Sequence, residues 1–192
     1  MAGPFDIVVI GGSAGSLSMV LQILPYLKMD IPIAVVVVFH RKSSEDTTLI
    51  ELLSHRTEFE VKEVDEKDLI RPNVVYVAPA DYHVLIEKDH TLSLDVSEKV
   101  NFCRPSIDVT FESAADVYGK SLMCILLSGA NADGVQGLKA ARDKGGFVVV
   151  QDPASAEVSY MPQQATEQLP VDLLLHDDNI DVLIDCLRLP KR

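Results

Sequence analysis

A serine, a histidine and an aspartate stand just past the ends of three apolar runs. Ser13 follows "FDIVVIGG", His40 follows "IAVVVVF", and Asp133 lies in "SGANADG", shortly after "SLMCILL". Together these types can hydrolyse a carboxyl derivative. A serine hydroxyl is a poor nucleophile until an imidazole removes its proton, and the imidazole works best when a carboxylate fixes its tautomer. Gly11-Gly12-Ser13-Ala14-Gly15 also reads as G-x-S-x-G. Its small residues permit a tight strand-to-helix turn that exposes the hydroxyl and offers amides to a developing oxyanion. Each residue has a plainer reading beside the catalytic one. Ser13 could cap the first helix, His40 could be a half-exposed histidine at a strand end, and Asp133 could be a helix-start acid favoured by the dipole. The order Ser, His, Asp is not that of the α/β-hydrolases.

The same glycines could instead cradle a dinucleotide, as in a nucleotide-binding oxidoreductase. That needs G-x-G-x-x-G, but counted from Gly11 the second and third positions hold Ser13 and Ser16. An acid for the ribose is wanted near the end of the second strand, where His40 stands, and no Gly-Lys-Ser/Thr follows to make a phosphate loop.

If the three residues are to meet, the elements between them must bring strand ends together. Apolar runs at 5–10, 33–39, 121–127, 146–151 and 171–175 are continuous rather than alternating. That marks strands covered on both faces, the habit of a parallel sheet. Helical spacing lies between them. Leu17, Val20, Leu21 and Leu24 form one stripe that ends at Pro25, and Ile107, Phe111, Ala114, Ala115 and Tyr118 form another. Pro105 suits a first helical position and Gly119 a stop. Further helices are expected from Asp133 to Gly145-Gly146 and from Asn179 to Leu187. The alternating, turn-rich middle predicts an antiparallel hairpin over 83–95. The expected architecture is α/β: a doubly wound, mainly parallel sheet flanked by helices, with one antiparallel hairpin, in a single domain over 1–192. In such sheets ligands bind outside the carboxyl ends of the strands, where Ser13, His40 and Asp133 would all lie.

Composition narrows the partners. Of 192 residues, 17 are Lys or Arg and 29 Asp or Glu, a net charge of -12. Without a basic cluster, such a surface repels nucleic acid and anionic membranes. Cys103, Cys124 and Cys186 are odd in number and lack CxxC spacing, which fits a reducing compartment and no zinc site. No signal-peptide pattern or membrane span is visible, so a cytoplasmic protein is expected. His83 reads as a strand or hairpin side chain, and His55, His90 and His176 as solvent-facing.

Over roughly residues 6 to 175 the chain resembles the catalytic domain of the chemotaxis protein-glutamate methylesterases, the CheB type. The blocks that carry the resemblance are "IGGSAG", "FHRK", "PNVVYVAPADYHVLI", "NFCRPSIDVTFESAA", "LLSGANADGVQGLKAARDKGG", "VVVQDPASAEVSYMPQQA" and "VDLLL". The resemblance implies hydrolysis of glutamate methyl esters on chemoreceptors or similar methylated proteins, with glutamine deamidation as a companion activity. It assigns Ser13 as nucleophile, His40 as base and Asp133 as orienting carboxylate, with the backbone amides of Ala14 and Ala130 as oxyanion donors. It implies no metal or organic cofactor.

Several positions depart from that pattern. The family usually has Thr where Ala14 stands, Met at Ala130, His at Cys103 and Arg at Gln163, and "QH.P" where this chain reads "FHRK". Arg41, Lys42, Cys103 and Arg104 are expected on the substrate rim. Family enzymes usually carry a receiver domain ahead of the catalytic strand, whereas here that strand begins near Phe5. The expectation is therefore a stand-alone enzyme, with any regulation left to a separate protein. A non-catalytic interaction domain that keeps the fold is the alternative.

Overall fold

The computed structural model describes residues 4–40 and 48–189. β1 (Ile7–Gly12) and β2 (Ala34–Phe39) are buried at every position. Their pleats explain the continuous apolar runs. Ile7, Val9, Ala34, Val36 and Val38 enter one core, while Val8, Ile10, Val35, Val37 and Phe39 enter a second on the opposite face. A strand buried on both faces has no solvent side on which to place polar residues.

The main sheet has seven strands. On one side of β1 lie β2, β5 (Val74–Val77) and β3 (Glu60–Glu63); on the other lie β8 (Leu122–Leu126), β9 (Phe147–Gln151) and β10 (Leu173–Leu175). Every pairing is parallel. The chain leaves β1 toward β2 and later returns beside β1 as β8, so the winding reverses there. A reversal of this kind marks the carboxyl ends of β1 and β8 as the place where such sheets bind ligands.

Helices cover both faces. α1 (Ser16–Ile23) and α6 (Ile180–Arg188) put Met19, Val20, Ile23, Leu183, Ile184 and Leu187 into one core. α3 (Ile107–Tyr118), α4 (Val135–Asp143) and α5 (Tyr160–Gln168) fill the other, and α2 (Thr48–Ser54) lies beside β3. A small antiparallel sheet of β4 (Asp68–Leu69), β7 (Thr91–Asp95) and β6 (His83–Ile86) packs Val84, Ile86 and Leu92 against the α3 side. This contains the hairpin expected over 83–95.

Pro105 does not open α3. Ser106 is the residue before the helix, with extended backbone (φ -102, ψ 135), and Ile107 is the first helical residue. The Arg104–Pro105 bond is cis. α1 ends at Ile23 and tightens into a 3-10 turn that holds Pro25. β3, β4, β5, α2 and α5 were not foreseen. Cys124 is fully buried in β8. Among the described residues no helix is long and apolar enough to cross a membrane.

Candidate active site

These carboxyl ends place Ser13 first. β1 pairs in register with β2 as far as Gly12 opposite Phe39, so Ser13 and His40 leave adjacent strands side by side. The His40 amide donates to the Gly12 carbonyl at 3.2 Å, and the Ser13 amide donates to Ser128 O at 2.9 Å, tying the exit of β1 to that of β8. The chain then turns sharply at Gly15, whose φ of 77 lies in the left-handed region that suits glycine. Ser16 closes the turn, its amide and hydroxyl both donating to Ser13 O at 3.1 and 2.6 Å. The cap position of α1 is Gly15, and no side chain caps the helix, so Ser13 is not spent as a cap. Its hydroxyl makes no hydrogen bond among the described residues. Gly129 lets the β8 loop come close: a Cβ there would stand 3.1 Å from Ser13 Cβ and 2.5 Å from Met161 Cε.

His40 and Asp133 meet. His40 Nε2 lies 2.7 Å from Asp133 Oδ2, with the histidine side chain 11% exposed and the aspartate 0%. Asp133 does not serve the helix it precedes, as a helix-start acid of α4 would. It caps α3 instead. Its Oδ2 accepts from the Ile107 amide at 2.6 Å, and its Oδ1 accepts from the Asp108 amide at 3.2 Å and from Ser106 Oγ at 2.8 Å. Asn101 Nδ2 adds another bond to Oδ1 at 3.0 Å. Burial alone would raise this carboxyl, but the hydrogen bonds from His40, the Ile107 amide, Asn101 and Ser106 outweigh it and hold it below its ordinary value. An ionised carboxylate can only accept, so His40 Nε2 carries a proton and Nδ1 holds the lone pair of the neutral ring.

That lone pair faces Cys103 rather than Ser13. Cys103 Sγ lies 3.5 Å from His40 Nδ1 and accepts from Asn131 Nδ2 at 3.2 Å. Burial lowers the His40 imidazole, yet hydrogen bonding and charge from Asp133 and Cys103 prevail and hold it at about 9. The close approach of His40 to Asp133 is present; a Ser13–His40 hydrogen bond is not formed among the described residues.

The other expected residues divide. Ala14 follows Ser13 at the exit of β1 and Ala130 follows Gly129 in the loop after β8, and neither amide donates a hydrogen bond among the described residues. Arg104 turns its NH1 to the Val96 and Ser97 carbonyls at 2.8 and 2.9 Å, which pins the loop ahead of α3. Arg41 and Lys42 lie outside the described residues.

Sequence reasoning missed Asn101, Ser106, Asp108 and Asn131. Ser106 carried a signal, since serine is favoured before a helix. Asp108 bridges α3 to α4 by accepting from the Gly137 amide at 2.7 Å, and it also accepts from Asn101 at 2.8 Å. Burial pushes its carboxyl up to about 6, opposed by the Gly137 bond and aided by the charge of Asp133. His83 is a buried strand residue, as expected, whose ring takes the Ser106 amide on Nδ1 and reaches Glu98 O through Nε2.

His40, Cys103 and Asp133 also offer nitrogen, sulfur and oxygen within 4.8 Å of one another, a possible metal set. Five donors already fill the lone pairs of Asp133, and Cys103 and Asp133 sit on opposite edges of the imidazole. The set is therefore committed to hydrogen bonds and does not converge on an ion.

Comparison with known proteins supplies relatives. The CheB methylesterase family profile matches residues 8–184. A Leptospira interrogans protein, provisionally named a protein-glutamate methylesterase/protein-glutamine glutaminase, is 44% identical over 176 residues, covering 92% of this chain and 91% of that one. A Thermotoga maritima protein-glutamate methylesterase/protein-glutamine glutaminase is 32% identical over 172 residues, covering 88% of this chain but 50% of its own length. The crystal structure of the Thermotoga maritima CheB methylesterase catalytic domain superposes with a TM-score of 0.88 at 31% identity, covering 94% of this chain and 98% of that one.

Proposed function

Because this chain belongs to the CheB methylesterase family, we propose that it is a serine hydrolase that removes methyl groups from esterified glutamates of chemoreceptor-type proteins. Glutamine deamidation follows the same route with ammonia as leaving group. The observation that carries the reading is the 2.7 Å bond between His40 and a fully buried, ionised Asp133, beside an uncommitted Ser13 hydroxyl. A domain kept only for interaction has no use for a buried, ionised carboxylate that orients an imidazole on the strand next to that of a free serine.

Ser13 Oγ attacks the ester carbonyl carbon as His40 Nδ1 takes its proton, displacing the weak contact with Cys103. Asp133 keeps its bond to Nε2 and stabilises the imidazolium. The Ala14 and Ala130 amides receive the oxyanion. Collapse expels methanol, which takes the proton from Nδ1. A water then repeats the sequence on the acyl-serine and frees the glutamate. The direct test is methanol release from the methylated cytoplasmic fragment of a chemoreceptor, with a small ester run in parallel. Turnover of neither substrate returns the chain to an interaction role; a small ester alone would remove the receptor from the reading.

The pH profile gives a second test. Only neutral His40 can accept the serine proton, and the ring is held at about 9. The value of kcat/KM should therefore climb about tenfold per unit between pH 6 and 8 and level off near 9. Cys103 contributes to holding that value up, so Cys103→Ala should move the midpoint to lower pH and raise activity at neutrality. A midpoint that stays in place in Cys103→Ala would show that the thiol does not act on the base.

A further inference from the structure

We propose that Phe102 is a substrate-docking residue: its ring receives an apolar side chain lying within a few residues of the esterified glutamate on the substrate protein. The proposal rests on the methylesterase reading above and names a residue that determines which proteins the site accepts. Phe102 is 96% exposed, whereas the other five phenylalanines are buried or half-buried. It occupies a costly backbone position. Val100 and Cys103 exchange both amide–carbonyl bonds, at 3.2 and 2.9 Å, across a two-residue loop of Asn101 and Phe102. Both loop residues have positive φ, 51 and 63, the mark of a type I′ turn. Asn-Gly meets that demand without strain, while a bulky side chain in the second position is an outlier.

The turn that bears this ring is well fastened. Asn101 bonds both Asp133 and Asp108, Arg104 holds the Val96 and Ser97 carbonyls, and His83 reaches Glu98 O. The next residue, Cys103, is 3.5 Å from the nitrogen of the base. An aromatic ring is thus presented to solvent from a fastened turn, one residue before the cysteine that contacts the base. Tyr82, Val96 and Val100, on the segments bonded to the same frame, are also exposed apolar residues, at 40%, 65% and 37%. With a net charge of -12, an apolar contact is a way to hold a substrate that does not depend on Coulomb attraction. Strain held at a site margin while a phenyl ring stays in water is best explained by what the ring meets there.

Binding and turnover are read separately. In a Ser13→Ala background, which cannot consume the ester, calorimetry should show Phe102→Gly weakening the Kd for the methylated receptor fragment about tenfold. In the active enzyme the same change should raise KM for that fragment about tenfold and keep kcat within twofold. The ratio of kcat/KM on the fragment to that on p-nitrophenyl acetate then falls about tenfold. Phe102→Gly should also raise Tm by about 2–4 °C as the turn relaxes, and Phe102→Leu should restore most of the affinity. Tyr26→Ala, an exposed aromatic past the far end of α1, should leave the ratio where it was. An unmoved Kd overturns the proposal, and so does an equal fall on both substrates, which would place the effect on the base. Failure of the wild-type enzyme to release methanol would instead count against the methylesterase reading, because the binding arm does not require turnover.

Discussion

Ser13→Ala should reduce methanol release by about 10⁴–10⁶-fold while leaving thermal stability within about 2 °C of the parent. The two halves of this expectation come from one observation. The Ser13 hydroxyl caps nothing and bonds to no described residue, so its removal leaves the fold as it was. His40→Ala should be about as severe, and the double variant no worse than either single, since nucleophile and base act as a unit. A Ser13→Ala enzyme that kept a tenth of its rate would remove the serine from the chemistry.

Asp133→Asn should behave differently, losing both rate and stability. An amide in place of the carboxylate favours the wrong tautomer of His40, an effect on the order of 10⁴ in the serine proteases. Here the aspartate also accepts five hydrogen bonds while fully buried. The asparagine NH₂ would face donors, and breaking such a buried arrangement costs about 3–5 kcal/mol, on the order of a 10 °C fall in Tm for a chain of this size. Paired kinetics and thermal unfolding of Ser13→Ala and Asp133→Asn separate the roles. A fully stable Asp133→Asn would mean that the cap on α3 contributes little.

The raised His40 sets rate against stability. Its folded value of about 9 exceeds the ordinary 6.5. The stabilisation it brings is therefore complete below pH about 6.5 and is lost as pH rises through about 9. The neutral ring that catalysis needs is formed over the same interval.

The strands around the site were legible because their runs are apolar on both faces. Ser13, His40 and Asp133 were legible because each follows such a run. β5 carries the same signal in "VVYV" but lies in a turn-rich stretch, where short length hid it. α5 begins with Tyr160, Met161 and Pro162 and has a weak apolar stripe, so periodicity did not mark it. The environment of Asp133 was out of reach for another reason. Asn101, Ser106 and Asp108 join it from 25 or more residues away, through a turn whose Asn-Phe pair carries no ordinary hairpin signal. Arg104 was expected on the substrate rim, but its NH1 is taken up by the Val96 and Ser97 carbonyls, a long-range loop contact that its neighbours in sequence do not announce.

One carboxylate fastens the start of α3 and orients the base. α3 packs on α4, β1 and β6, so this fastening belongs to the main body of the molecule. The amides of Ile107 and Asp108 thereby become reporters of catalytic competence. In mild denaturant their deuterium uptake should rise in step with the loss of hydrolytic rate, and Asp133→Asn should make both exchange quickly in native buffer. Competence should then be lost together with the cooperative unit to which the head of α3 belongs, before the sheet itself opens to solvent.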